Sequence, residues 1–477
     1  MGYGYLALAV KSQHDNYLIG NPQFTYFKAV YKRHTNFAVD FQEVGFSQNT
    51  EDCWGKKIYI QVPKNGDLLH RAYLCIDLDM DGNAGELNYN DLSNWDASGW
   101  SKGNSGSANN YAPFAYNLLQ YIDLYIGDQL IDRHYSEWLH IWHSVCEGPE
   151  RSLALAKMIQ VNTTETGKRR LAIPLRFWFN TDVGLALPLI ALQYADVKFE
   201  IKFNKKTDVD RLSSADVSSA IKITNVKLLL ENIYLDEDER RAFSSGKHEY
   251  LITQVQSSLD NRIKNLPVLW ASSKFDSIRH KIPLRFRYPV KELFWTIQDK
   301  EGIHVPAYNA LGYGDFTNTG CFKYNYWNNY RPGQEQMSYC NLSLNNKELM
   351  DELPASFYRN LQRYQYHSGT GVDHVDLFEQ RINNPAINYQ DYSKGCGVYS
   401  YSFSLYPERT QPSGSLNFSK LENARLTFGL TKGKNWGYKT VADSNDSTNT
   451  NKTVSIYALN YNVLRIMSGL AGLVFTN

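Results

Sequence analysis

Leu171 to Phe203 reads LAIPLRFWFNTDVGLALPLIALQYADVKFEIKF, and the spacing of its apolar residues decides the fold class. In its closing part Val197, Phe199, Ile201 and Phe203 alternate with Lys198, Glu200 and Lys202, the period of a strand with one dry face and one wet face. Leu175, Phe177 and Phe179, with Arg176 and Trp178 between them, predict a second, aromatic-rich strand. Asn180 to Gly184 is a turn signal. Pro188 then bars the apolar run Leu185 to Pro188 from being a central strand, because its ring nitrogen cannot donate to a ladder. The unit is strand, buried connection, strand. It holds no Ser, Cys or His and no paired carboxylates set for chemistry, so it is built to pack.

At 477 residues the chain has room for two β-rich halves, each large enough to bury a core. Aromatic residues are 14% of it and 34 of them are tyrosines, which favours strands and polar-tipped contact surfaces over helix bundles. A net charge of +1 lacks the footprint of a dedicated nucleic-acid binder, so no direct nucleic-acid contact is expected. Cys53, Cys75, Cys146, Cys321, Cys340 and Cys396 are scattered without a C-x-x-C pair, which argues for free thiols in a reducing compartment and leaves a bridge between Cys321 and Cys340 open. No secretory pattern opens the chain, and Leu6 stands where a myristoylation motif needs Ser or Thr. The longest apolar runs, such as Ile466 to Phe475, are too short to span a membrane, and the expected setting is the cytosolic side.

Around Lys28, Lys32, Arg33 and His34 lie Phe24, Phe27, Val30 and Tyr31, read either as a short amphipathic helix with a basic face or as an arm packed on its own domain. Lys57 to Val62 and Leu69 to Leu78 are strand-like, joined by a hairpin turn at Asn65-Gly66. Asp91 to Tyr111 and Lys205 to Ser219 are polar loops. Ile122 to Ile131 is a strand interrupted at Gly127-Asp128. Ser136 then caps a helix whose buried stripe is Trp138, Ile141, Trp142 and Val145. Val226 to Leu235 is a further strand, and Asp236 to Arg241 a solvated, self-neutralising corner.

The second half repeats this order. Asn341 to Leu349 mirrors Asp123 to Ile131, and Pro354 opens a helix with the stripe Phe357, Leu361 and Tyr364. Tyr401, Phe403 and Leu405, the connection Pro412-Ser413-Gly414, and then Ala424, Leu426 and Phe428 echo the opening stretch. Phe177 lies 20 positions before Val197, and Phe403 21 before Ala424. Two copies of one β-sandwich divided near 245–265 account for the pattern. Thr453 to Leu464 is a closing strand, and the tail after Arg465 is apolar enough to be buried against the body. The residues expected in the cores are Phe177, Phe179, Val197, Phe199, Ile201, Phe403, Leu426 and Phe428.

Glu137-x-x-His140-x-x-His143 places three ligand types toward one side of a helix. A di-metal carboxylate site needs the motif on two helices, and the second half offers none, so His140 and His143 are read as surface or interface residues and no metal is expected. A jelly-roll glycosidase needs two carboxylates across a cleft, which the acidic residues here do not specify. Gly312-Tyr313-Gly314 lacks the Lys-Ser/Thr of a phosphate loop. No catalytic residue, metal or cofactor is expected. Sequons occur at Asn162, Asn341, Asn417, Asn445 and Asn451, and of these Asn162, Asn445 and Asn451 fall in loops and are the better glycan candidates.

Asn21 to Phe24 (NPQF), Tyr31 to Phe37 (YKRHTNF), Pro63 to Leu68 (PKNGDL), Gly184 to Tyr194 (GLALPLIALQY), Asp236 to Arg241 (DEDERR), Gln411 to Ser419 (QPSGSLNFS) and Tyr461 to Gly469 (YNVLRIMSG) together resemble the major capsid proteins of the nucleocytoplasmic large DNA viruses. The matches run in order along essentially the whole chain. The resemblance implies an all-β chain of two tandem eight-stranded jelly-roll sandwiches with short helices in the connections. Its expected divisions are an N-terminal arm over 1–36, a first jelly roll over 37–250 and a second over 251–477. It implies homotrimeric, pseudo-hexagonal capsomers tiling an icosahedral outer capsid in the virion, assembled in host cytoplasm, with no catalysis. The implied partners are the chain itself, neighbouring capsomers, minor capsid proteins and an internal membrane reached by the arm. The loops 91–111, 205–219 and 367–394 are implied to be external or intersubunit. A scaffold or minor capsid paralogue of the same fold, and a carbohydrate-active jelly-roll enzyme, are the alternatives weighed.

Overall fold

In this computed structural model residues 3–46, 51–80, 114–159, 167–205, 221–263, 279–299, 337–369, 397–430 and 452–476 are described. The first half supplies β1 (Phe37–Gly45), β2 (Lys57–Gln61), β3 (Leu68–Met80), β4 (Leu119–Ile126), β5 (Gln129–Tyr135), β6 (Gly167–Pro174), β7 (Leu187–Pro188), β8 (Val197–Phe203) and β9 (Ile221–Leu235). The second supplies β10 (His248–Ile263), β11 (His280–Pro283), β12 (Pro289–Asp299), β13 (Met337–Leu344), β14 (Lys347–Glu348), β15 (Leu353–Pro354), β16 (Val398–Ser402), β17 (Leu416–Asn417), β18 (Ala424–Leu430), β19 (Lys452–Met467) and β20 (Leu470–Leu473).

Two sheets with the orders β1-β9-β3-β6 and β2-β8-β4-β5 form the first sandwich. Two more, β10-β19-β12-β16 and β11-β18-β13-β14, form the second. Each order maps strand for strand onto its counterpart. The correspondence reaches into the connections, since β7 pairs with β3 at Leu69↔Leu187 as β17 pairs with β12 at Val290↔Leu416. This is a tandem double jelly roll, as expected. The duplicated hairpins use turn residues suited to positive φ: Gly127 in one, and Asn345 and Asn346 at φ 49 and 64 in the other.

The alternation in β8 sets its faces. Val197, Phe199, Ile201 and Phe203 are buried in the first core, and Ala424, Leu426 and Phe428 of β18 in the second. Phe177 and Phe179 are also buried, and Phe403 is half-buried with its ring 5.1 Å from Tyr401 and 5.9 Å from Phe418. The polar face of β8 departs from expectation at Glu200, which is buried. Its neighbours Lys57 on β2 (2.8 Å) and Tyr121 on β4 (3.0 Å) hold the carboxylate on that face. Burial opposes its ionisation, but hydrogen bonds from Lys57, Tyr121 and Tyr59 outweigh that cost and hold its pKa below the ordinary value.

Several expectations are corrected. Leu175 to Phe179 is not a strand: β6 ends at Pro174, and Trp178–Thr181 is a single helical turn. Phe177, Trp178 and Phe179 are buried in succession, which a two-sided strand cannot arrange. Asn180 pins the turn, accepting from the Phe177 N–H (3.1 Å) and donating to the His70 carbonyl (2.6 Å). Phe403 likewise lies just past its strand, Val398–Ser402, so in both halves the aromatic residue follows the strand that its spacing predicts it to occupy.

Asp236 to Arg241 is solvated and self-neutralising as expected, with Arg241 paired to Glu237, but it starts the helix Glu237–Ser245 and is not a corner. Asp236 accepts from the Glu237 N–H, and Arg240 reaches Asp67 at 3.0 Å. Acidic residues in a first turn complement the exposed N–H groups there. Ser136 sits inside its helix, with Tyr135 at the cap position.

In the second half Pro354 belongs to β15, the helical segment opens directly after it at 355–356, and a π turn, Phe357–Leu361, follows before Gln362–Tyr366. The wider turn rotates the stripe. Tyr358, Arg359, Gln362 and Arg363 are buried, while Leu361 and Tyr364 are exposed. Residues 24–31 form no helix and do not pack on their own domain; Phe24, Phe27, Val30 and Tyr31 are all exposed. The tail is only partly covered. It turns back as β20 on β19, with Met467, Leu470 and Phe475 exposed.

Candidate functional site: the seam between the sandwiches

Where the two sandwiches meet, the first core does not stop. Its buried cluster includes Ile252, Phe294, Val398, Tyr457, Leu459, Leu464 and Ile466, all from the second half. The helix Ser136–Cys146 fills this seam because its sequence is apolar on more than one side. Trp138, Leu139, Ile141, Val145 and Cys146 are buried together with Ser136, His140 and Ser144. The Trp138 ring lies 5.4 Å from Phe294 and 5.7 Å from Tyr457, edge-on and tilted respectively.

Polar contacts fix the register of the two halves. Glu137 accepts from the Thr296 hydroxyl (2.9 Å) and the Tyr457 phenol (2.8 Å). Asp132 accepts from the Val255 N–H (3.1 Å) and contacts His134 Nε2 at 2.9 Å, while Gln254 donates to the Ile131 carbonyl. Thr410 donates to Asp182 (2.6 Å) and Tyr194 N–H to the Gly469 carbonyl (3.0 Å). Gly369 N–H donates to the Val145 carbonyl (3.0 Å) and Ser368 Oγ to the Cys146 carbonyl (2.7 Å). A Cβ on Gly369 would stand 2.1 Å from Val145 O, so the close approach needs glycine.

Glu137, His140 and His143 do not converge. Glu137 faces the second sandwich, and His143 Nε2 lies 3.1 Å from Ser152 Oγ. His140 is buried and not on the surface, because its helix is covered on both sides. Burial lowers His140 to about 3 and His143 to about 4, so both are neutral imidazoles.

Asn162, Asn445 and Asn451 lie outside the described residues, as do Cys321, Cys396 and almost all of the expected loops 91–111, 205–219 and 367–394. Cys53, Cys75, Cys146 and Cys340 are free and buried. Asn341 is buried in β13, and Asn417 accepts from the Ser419 N–H (3.0 Å). Among the described residues no helix is long and apolar enough to cross a membrane.

Sequence reasoning missed one grouping. Cys146, His367 and Glu408 bring ligand atoms within 4.8 Å of one another, from three segments far apart in the chain. No local spacing signals it, because Cys146 and His367 are 221 positions apart.

Residues 25–236 match the family described as "Major capsid protein N-terminus", and residues 239–378 and 382–472 the family described as "Large eukaryotic DNA virus major capsid protein". The chain is 33% identical over 489 residues to a major capsid protein of Pyramimonas orientalis virus, covering all of both chains. It is 31% identical over 512 residues to that of Paramecium bursaria Chlorella virus 1, again covering all of both. Among solved structures, a chain of the PBCV-1 virus capsid superposes with a TM-score of 0.69 at 26% identity, covering 95% of this chain and 100% of that one. The Faustovirus major capsid protein, at 11% identity and a TM-score of 0.59 over 96% of this chain and 94% of that one, shares the fold.

Proposed function

The chain belongs to the major capsid proteins of large eukaryotic DNA viruses, and from that premise we propose that three copies close into a pseudo-hexagonal capsomer of an icosahedral outer shell. It is a structural protein and not an enzyme. The observation that carries the proposal is the duplicated strand order joined by a buried seam. Three such chains present six sandwiches of one topology, so a threefold axis yields a nearly hexagonal tile.

We take 1–36 as an arm and the two sandwiches as the remaining units. The division expected at 250 is drawn back to the turn before His248, since β10 already pairs with β19 there. Apolar residues left in the open mark the contact surfaces: Phe37, Val39 and Phe41 along one face of β1, and Leu361 and Tyr364 on the second sandwich. The arm, with Phe24, Phe27 and Tyr31 exposed among Lys28, Lys32 and Arg33, is assigned to minor capsid proteins and the internal membrane. Assembly is placed in host cytoplasm and the product in the virion. Asn162, Asn445 and Asn451 remain the glycan positions to be read by mass spectrometry of the virion protein.

Sedimentation of the purified full chain tests this reading. A three-chain mass at micromolar concentration, with an interface of about 2,000 Å² or more per contact, is expected of an obligate capsomer. A stable, well-folded monomer under the same conditions would overturn it.

A further inference from the structure

Cys146 ends the seam helix in the first sandwich. His367 follows the helix Gln362–Tyr366 and Glu408 follows β16, both in the second. His367 Nδ1 lies 3.7 Å from Cys146 Sγ and 3.3 Å from Glu408 Oε1. A tetrahedral zinc ion with bonds of about 2.3 Å to sulfur and about 2.0–2.1 Å to nitrogen and oxygen sets its ligands about 3.6 Å apart for S···N and about 3.3 Å for N···O. The S···N and N···O pairs stand near those separations, and the thiol and carboxylate lie within 4.8 Å of each other.

The opposite edge of the same imidazole points to a ligand role. His367 Nε2 sits 2.5 Å from Glu292 Oε1, with the imidazole fully buried and the Glu292 side chain 2% exposed. A carboxylate behind the far nitrogen of a metal-binding histidine fixes the tautomer and turns the other nitrogen toward the ion. Here that other nitrogen is the one facing the thiol and Glu408.

We propose that Cys146 Sγ, His367 Nδ1 and the Glu408 carboxylate bind a zinc ion that clamps the first sandwich to the second. A thiolate, an imidazole and a carboxylate form a donor set suited to zinc and not to magnesium or calcium. His367 and Glu408 line a shallow cavity of about 230 Å³ together with Tyr366, Ser368, Tyr406 and Arg409, which has room for water as the remaining ligand. Charges balance: the thiolate, Glu408 and Glu292 stand against the dication and buried Lys291, which neighbours Glu292 on β12. Arg409 at the mouth is occupied by stacking on Tyr406, 4.4 Å from its ring. Without an ion, burial pushes the Cys146 thiol up to about 12, so it stays protonated and unreactive. On binding, the S–H bond breaks, its proton leaves to solvent, and the sulfur lone pair forms the bond to zinc.

The test uses the full chain, stripped with chelator and dialysed against zinc alone, with the bound metal counted by mass spectrometry. About one zinc per chain is expected, kept by Cys75→Ser and lost by Cys146→Ser and His367→Gln. Cobalt substituted for zinc is expected to show a thiolate charge-transfer band and the strong visible absorption of a four-coordinate ion, both absent from Cys146→Ser. Glu408→Gln, at a partly exposed side chain, keeps the proposal testable if the other variants fail to fold, with zinc affinity expected to fall at least about tenfold. A wild-type chain that holds no zinc after dialysis, a Cys146→Ser chain with the same cobalt spectrum, or a Glu408→Gln chain of unchanged affinity would overturn it.

Discussion

In the first sandwich the helix after the β4–β5 hairpin, Ser136–Cys146, is covered on both sides, by its own core and by Phe294 and Tyr457 of the second sandwich. In the second sandwich the corresponding segment, Phe357–Leu361 continuing into Gln362–Tyr366, covers one side only and leaves Tyr364 90% exposed. The strand orders are the same, yet one helix is spent inside the chain as a joint and the other faces outward. Duplication supplies two equal joints and a single chain uses one. In the capsomer proposed above, the second is the face offered to another copy.

The largest effect is expected where the two halves are alike. Phe199→Asp on β8 puts an unpaired charge in the first core at a cost of about 5 kcal/mol or more, enough to consume the stability of a domain. Soluble assembly at wild-type yield would remove that face from the core.

Next comes the contrast itself. Trp138→Ala should lose about 3–5 kcal/mol in urea unfolding through the cavity left at the seam. Tyr364→Ala, on the free helix, should lose less than about 0.5 kcal/mol. Equal losses would erase the distinction between joint and free face.

Acid should act through the seam helix as well. His140 and His143 titrate at about 3 and about 4 when folded, below the ordinary 6.5, so the unfolded chain binds protons that the folded chain refuses. Their contribution is complete above pH 6.5 and is lost as pH falls toward those values, by up to about 1.4 kcal/mol per pH unit for each histidine. Urea midpoints at pH 5 and 7.5 should therefore draw closer together in His140→Gln. An unchanged difference would place the acid sensitivity elsewhere.

The smallest stability change carries the sharpest assembly readout. Tyr364→Asp should leave the isolated fold within about 0.5 kcal/mol and shift the sedimenting species from three chains toward one. A trimer unaffected by that charge would mean the outward helix contacts no other copy.

Much of this was legible in the chain because it is written in local periods. The two-residue alternation of Val197 to Phe203 and of Ala424 to Phe428, the hairpin turns at Gly127-Asp128 and Asn345-Asn346, and the echo of one half in the other needed only neighbours in sequence. Run together, they determined the double sandwich. Local period misled where burial surrounds a segment on every side, as at Phe177 to Phe179, and where one π turn rotated the stripe around Tyr358.

Tertiary structure alone decided what meets across long separations. It buried Glu200 on a face that reads as solvent. It seated Trp138 and Glu137 against strands of the other half, and it brought Cys146, His367 and Glu408 to one point. Alternation is set by backbone geometry within a strand, whereas those meetings depend on how two completed sandwiches pack, a property of surfaces that no window of sequence contains.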